Sequence, residues 1–217
     1  MIRALLLDFD GTLVDTERLQ WEAYRRTLAP YGVDVGLEEY REHWIRRAGG
    51  ADYACRRYGL SVDPEVLKAQ KTREYRGLLP AAVRPCPGVP AMLAAQRGRR
   101  RLAVVTNSER VEVEGILAHV GLAHAFDALV TREDYAHPKP APDCYRTAAE
   151  RLGLTPEECL VFEDTERGAA AGRAAGMRVV AVPSDLTYDN DFTGCIRRLD
   201  SLAEVSDALL DAIDGER

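Results

Sequence analysis

A chain of 217 residues with 29 basic and 35 acidic side chains carries a formal charge of −6, which opposes binding to a nucleic-acid backbone unless basic side chains gather in one place. A hydrophobic fraction of 46% beside 29% charged residues excludes a disordered chain and argues against a membrane span. The length bounds the fold at one large domain or one domain carrying an insertion.

The first element is a strand built on Ile2, Ala4, Leu5, Leu6 and Leu7, running into Asp8-Phe9-Asp10-Gly11-Thr12. Alternation along an extended backbone points Asp8 and Asp10 the same way, at the carboxyl edge of a sheet. Gly11 then allows a sharp turn. The apolar run is too short for a signal peptide and stops at Asp8, so the expected location is the cytoplasm.

After Asp15 the pattern becomes helical, with Leu19, Ala23, Thr27 and Leu28 on one face and Thr16 as the expected cap. Only helical signals follow: 36–48, 51–58 and 64–79, punctuated by Gly32, Gly49-Gly50 and Gly59. Residues 80–88, with Pro80, Pro85, Pro87 and Gly88, read as a linker.

Strands and helices then alternate: helix 89–97, strand 102–106, helix 110–120, strand 126–131, helix 142–152, strand 159–162, helix 167–175, strand 178–182 and helix 202–213. Such alternation predicts an α/β fold, a doubly wound, Rossmann-like parallel sheet covered on both faces. One strand precedes the helical block and the others follow it. The expected organisation is therefore an α/β core of residues 1–15 and 80–217 with a helical cap, 16–79, inserted into it.

The densest basic run, Arg97, Arg99, Arg100 and Arg101, falls between a helix and a strand and reads as a solvated connection. Cys55, Cys86, Cys144, Cys159 and Cys195 are odd in number and contain no C-x-x-C pair, which fits reduced thiols rather than a disulfide frame or zinc site. His43, His119, His124 and His137 show no metal-ligand spacing.

Four segments end predicted strands or follow them directly: Asp8 to Asp10, Thr106-Asn107-Ser108, Lys139 and Glu163-Asp164. In a parallel sheet these ends share one edge, so the side chains can converge. The set suits phosphoryl transfer through a carboxylate, which divides ester hydrolysis into two easier steps. A carboxylate nucleophile approaching an anionic phosphate needs cations and hydrogen-bond donors around it. Magnesium held by Asp8, Asp164 and Glu163 supplies one source, and Lys139, Thr106 and Asn107 the rest. Asp10 is placed to protonate the leaving oxygen and then to activate water.

These same segments, Asp8-Phe9-Asp10-Gly11-Thr12, Thr106-Asn107-Ser108, Lys139-Pro140-Ala141-Pro142-Asp143 and Glu163-Asp164-Thr165, resemble the four motifs of the haloacid dehalogenase superfamily, in order. The helical block resembles the small α-helical cap of its subfamily I, and the nearest likeness is to the β-phosphoglucomutase-like phosphatase branch. The resemblance implies Asp8 as nucleophile and Asp10 as general acid/base, with the Asp10 backbone carbonyl also on the metal. It implies Asp164 as a further metal ligand, with Glu163 as another candidate, and Thr106, Asn107 and Lys139 around the phosphate. In the cap, Thr16 and Lys71 are candidate substrate contacts, Lys68 and Lys71 being its only lysines.

Dehalogenation is disfavoured, because that reaction uses no magnesium and does not keep the second aspartate. A phosphosugar mutase resembles this chain in the core motifs, but its cap loop offers an arginine where Ala48-Gly49-Gly50-Ala51-Asp52 stands here, with Arg46 and Arg47 a few residues earlier. The reading is a magnesium-dependent phosphatase acting on a small phosphorylated metabolite, a sugar phosphate by preference. Its alternatives are the mutase and a noncatalytic phosphate-ligand binder, which would have no need of Asp8 and Asp10 together. No nucleic acid or membrane partner is expected, and the oligomeric state is left open, a monomer being compatible with the sequence.

Overall fold

A computed structural model describes residues 1–216. The chain separates into two compact units, one formed by Met1–Val14 with the chain from Arg84 onward, the other by Asp15–Val83.

The first unit is built on six strands: β1 Ala4–Leu7, β2 Arg101–Val105, β3 Ala128–Val130, β4 Cys159–Glu163, β5 Arg178–Ala181 and β6 Arg197–Arg198. They form one sheet in the order β3-β2-β1-β4-β5-β6, and every pairing is parallel. Strands buried on both faces read as unbroken apolar runs rather than alternating ones. All residues of β1 and β4 are accordingly buried. The order reverses between β1 and β4, which is the topological switch point where ligands bind at the carboxyl ends of strands. Leu7 pairs with Val104 and with Phe162, so the residue after β1 emerges beside the ends of β2 and β4.

The second unit holds α1 Glu17–Leu28, α2 Leu37–Tyr40, α3 Ala51–Tyr58 and α4 Pro64–Ala82, with α1 and α4 packed together. Asp63 caps α4, its carboxylate accepting from Glu65 N at 2.8 Å, and Pro64 occupies the first turn, where no N–H is needed. The helix runs three residues past the expected end at 79, through Pro80. The proline N–H is missing only in the last turn, and Val83 N still closes the helix on Leu79 O at 3.0 Å.

The expected single helix over 36–48 is instead α2 followed by a π-helical turn, Arg41–Arg46, ending at Ala48 with φ 53°. The wider turn brings Tyr40, Trp44 and Ile45 all into the interior. The Tyr40 and Trp44 rings stack at 5.8 Å and Tyr24 closes on Trp44 at 5.1 Å. Thr16 stands before α1 but makes no side-chain cap: its dihedrals of −111° and −20° are helical, where a capping residue needs an extended backbone.

Helices α5 Val89–Gln96, α6 Arg110–His119, α7 Asp143–Leu152, α8 Glu166–Ala174 and α9 Asp207–Gly215 complete the first unit. Ala4, Leu6, Ala103, Val105, Val161 and Val179 join one core cluster with Tyr145 and Ala148 of α7 and Ala169 and Ala171 of α8. The neighbouring Leu5, Leu7, Leu102, Val104, Leu160 and Phe162 point to the opposite face and are equally buried.

The expected helix over 202–213 is broken in two, a 3₁₀ turn Leu202–Glu204 capped by Ser201 and then α9 capped by Ser206. β6 was not anticipated because two arginines carry no apolar alternation. Of the basic run, Arg99 and Arg100 pair with Asp207 and Arg101 with Asp127. Among the described residues no helix is long and apolar enough to cross a membrane.

Candidate active site

β1 ends at Leu7, and Asp8 N donates to Phe162 O at 3.0 Å, which holds the carboxylate at the seam between β1 and β4. The chain then doubles back: Leu13 N and Val14 N both donate to Phe9 O, and Gly11 N to Val14 O. Gly11 has φ 78°, and a β-carbon there would lie 2.8 Å from the Asp164 carboxyl carbon, so conformation and space both require glycine. At Gly168, in α8, space alone requires glycine, because the Glu163 carboxylate occupies the volume a side chain would need. α8 is capped by Thr165, accepting from Gly168 N at 3.1 Å, which leaves both acids available for another use.

Lys139, in the loop after β3, extends into this seam and is 5% exposed. Its Nζ donates to Asp8 Oδ1 at 2.5 Å, Glu163 Oε1 at 2.6 Å and Val105 O at 2.8 Å. Those three acceptors match the three protons of an ammonium. Tyr145 OH donates to the same Glu163 oxygen at 2.6 Å, and its ring lies 5.0 Å beneath Nζ.

Burial pushes the Asp8 carboxyl up to about 8, the charge of Glu163 adds to this, and Lys139 works against it. For Lys139, burial opposes the charge, but Asp8 and Glu163 outweigh it and hold the ammonium well above its ordinary value. The lysine is therefore a fixed cation.

Asp8, Glu163 and Asp164 can each bring one oxygen within 4.8 Å of the others, and all are buried. Three buried carboxyl groups gathered around a single ammonium offer hard oxygen donors that suit a divalent cation such as magnesium, which would favour their ionised forms. The Asp10 carboxylate is not part of this cluster. It accepts from Ser108 Oγ at 2.6 Å.

At the end of β2, Thr106 Oγ1 accepts from Ser108 N at 3.0 Å. Asn107 Oδ1 accepts from Lys139 N at 3.1 Å and stands 2.8 Å from Tyr135 OH, which is also 2.7 Å from Thr106 O. The amide oxygen of Asn107 thus ties two loops together, and only its nitrogen end and backbone N–H are of use to an anion. Seven of the nine expected site residues, Asp8, Asp10, Thr106, Asn107, Lys139, Glu163 and Asp164, therefore meet at one sheet edge. Thr16 and Lys71 belong to the second unit. There Thr16 is buried, and the Lys71 ammonium bonds Gln20 and lies over the rings of Tyr24 and Tyr75 at 5.4 and 4.8 Å.

Sequence reasoning assigned no role to Ser108, Tyr135 or Tyr145. Ser108 sits inside a motif already singled out, whereas Tyr145 reads as an ordinary apolar position of α7 and Tyr135 lies in a loop without periodicity.

The haloacid dehalogenase-like hydrolase description matches residues 2–176. The chain belongs to that family. Among relatives within the haloacid dehalogenase-like hydrolases, the fructose-1-phosphate phosphatase YqaB of Escherichia coli is 38% identical over 82% of this chain and 95% of its own. A phosphorylated carbohydrates phosphatase of Thermotoga maritima is 31% identical, covering 81% and 82%. The crystal structure of a substituted CbbY from Rhodobacter sphaeroides in complex with xylulose-(1,5)bisphosphate superposes with a TM-score of 0.82 at 32% identity, covering 95% of this chain and 97% of that one.

Proposed function

We propose that this protein is a magnesium-dependent phosphatase that hydrolyses a small phosphorylated metabolite, a sugar phosphate by preference, through an aspartyl-phosphate on Asp8. The observation that carries the reading is the Lys139 ammonium bridging Asp8 and Glu163, with Asp164 completing a buried acidic cluster. Such an arrangement neutralises a nucleophilic carboxylate only in part and suits an anionic substrate once a cation is present. The phosphatase names of relatives from Escherichia coli and Thermotoga maritima support the substrate class.

Magnesium held by Asp8 and Asp164, with Glu163 in reach, would supply positive charge to the phosphoryl oxygens. The protein's own groups do the rest. A carboxylate oxygen of Asp8 attacks phosphorus while the bond to the leaving oxygen breaks, and Asp10 gives that oxygen a proton. Water then attacks the phosphorus of the acyl phosphate, Asp10 takes its proton, and the Asp8 oxygen–phosphorus bond breaks to release inorganic phosphate. Lys139 keeps its charge beside the transferring group throughout. The Thr106 hydroxyl and the Asn107 nitrogen groups are donors to the phosphate.

Residues 16–79 serve in this reading as the cap that selects the substrate, with Thr16 and Lys71 as its contacts, and the enzyme works in the cytoplasm. Fructose 1-phosphate, xylulose 1,5-bisphosphate and p-nitrophenyl phosphate form the first panel. Phosphate release should require magnesium and vanish in Asp8→Asn; full turnover by that variant would falsify the reading. Isomerised sugar phosphate with little free phosphate would instead identify a mutase.

A further inference from the structure

We propose that Tyr135 is a positioning residue of the phosphate site, its phenol aiming both the Asn107 N–H and the Asn107 side-chain nitrogen at the phosphate; this rests on the phosphatase reading above.

The end of β2 sets the directions. Thr106 N donates to Val130 O at 2.9 Å, toward β3, whereas Val105 O accepts from Lys139 Nζ at 2.8 Å, on the side where that ammonium also bonds Asp8. Tyr135 lies in the loop after β3 and donates to Thr106 O at 2.7 Å, so this carbonyl faces β3. In a planar trans peptide the C=O and the next N–H point opposite ways. The Asn107 N–H is thereby turned back to the Asp8 side, and among the described residues it meets no acceptor.

The same hydroxyl lies 2.8 Å from Asn107 Oδ1, which also accepts from Lys139 N at 3.1 Å. Two donors converge on one atom of the amide, so that atom is the oxygen and the NH₂ group is presented on the other side. The phenol proton is shared between the carbonyl and the amide oxygen. One hydroxyl thus sets both a peptide plane and a side-chain amide.

Its own base is firm. The Tyr135 ring packs against the core cluster beneath the sheet, the Arg132 guanidinium lies 5.4 Å over it, and Arg132 Nη1 donates to Tyr135 O at 2.9 Å. Donors fixed before the anion arrives need no ordering when it binds.

The test follows the melting temperature of the full chain against inorganic phosphate at saturating magnesium, and against magnesium alone, to give a dissociation constant for each. Tyr135→Phe removes the hydroxyl and keeps the ring. It should weaken phosphate about tenfold, the worth of one hydrogen bond to an anion, with the magnesium constant nearly unchanged. In an Asn107→Ala background the same change should cost about threefold at most, because one of the two donors it aims is already gone. Unchanged phosphate affinity in Tyr135→Phe, the same loss in both backgrounds, or a parent that binds no phosphate would overturn the proposal. So would magnesium affinity falling together with phosphate affinity, since the phenol would then support the whole site rather than its donors. Phosphate release by Asp8→Asn tests the phosphatase reading separately, because Tyr135 is intact in that comparison.

Discussion

Gly11 and Asp164 approach so closely that a β-carbon on the glycine would stand 2.8 Å from the carboxyl carbon of the aspartate. The turn after β1 is therefore also the wall of the acidic cluster. Gly11→Ala should lose about 1–2 kcal/mol from its φ of 78° and, by displacing Asp164, about 100-fold or more in turnover. Gly32→Ala is the control: its φ is 75° but no atom lies within 4 Å of the added carbon. It should lower the melting temperature and leave turnover near normal.

The Asp8 carboxyl, pushed up to about 8 from 3.8 by burial and then by Glu163, makes the metal-free fold sensitive to base. The folded state binds this proton more tightly than the unfolded chain, so the contribution is complete below 3.8 and is lost as pH rises through about 8. In chelator, the melting temperature should fall across that interval. Asp8→Asn should flatten the curve. Added magnesium should raise the melting temperature most at the alkaline end, where the carboxylate is ionised.

Lys139 and Tyr145 both donate to Glu163 Oε1, but they are not equivalent. Lys139→Met leaves Asp8 and Glu163 facing each other without their shared cation, which should cost about 3–5 kcal/mol and abolish turnover. Tyr145→Phe removes one of two donors and should cost about 1 kcal/mol, with less than about a tenfold fall in kcat. Chemical denaturation and steady-state rates on the two variants separate these outcomes.

Away from the site, Asp134 accepts from Arg110 and Arg151 at 2.6 Å each and from Thr131 N at 2.8 Å. Burial opposes its ionisation, yet the Arg151 bond and then the Thr131 bonds hold the carboxyl well below the usual carboxylate range. A lowered folded value contributes stability above the unfolded value of 3.8 that is lost as pH falls through the folded one. Asp134→Asn should therefore melt earlier than the parent at neutral pH, with the gap closing below about pH 4. A gap that widens in acid would contradict the assignment.

The sheet and the four motifs were legible in the sequence because buried parallel strands are unbroken apolar runs and each motif ends or follows one. What escaped has a physical cause in each case. The π turn at 41–46 arises from packing Tyr40 against Trp44, a contact invisible to helical periodicity. Pro80 misled because a proline in a final helical turn costs less than one in the interior. Tyr135 acts through a hydroxyl at the end of a ring whose position depends on loops distant in sequence.

Val14 bridges Pro85 in antiparallel fashion, and Cys86 N donates to Leu13 O at 2.9 Å. The chain thus departs from the first unit and returns to it at adjoining points, with 69 residues accommodated between two neighbouring anchors. A segment tethered at so narrow a gateway can be shortened, enlarged or exchanged without disturbing any strand of the sheet.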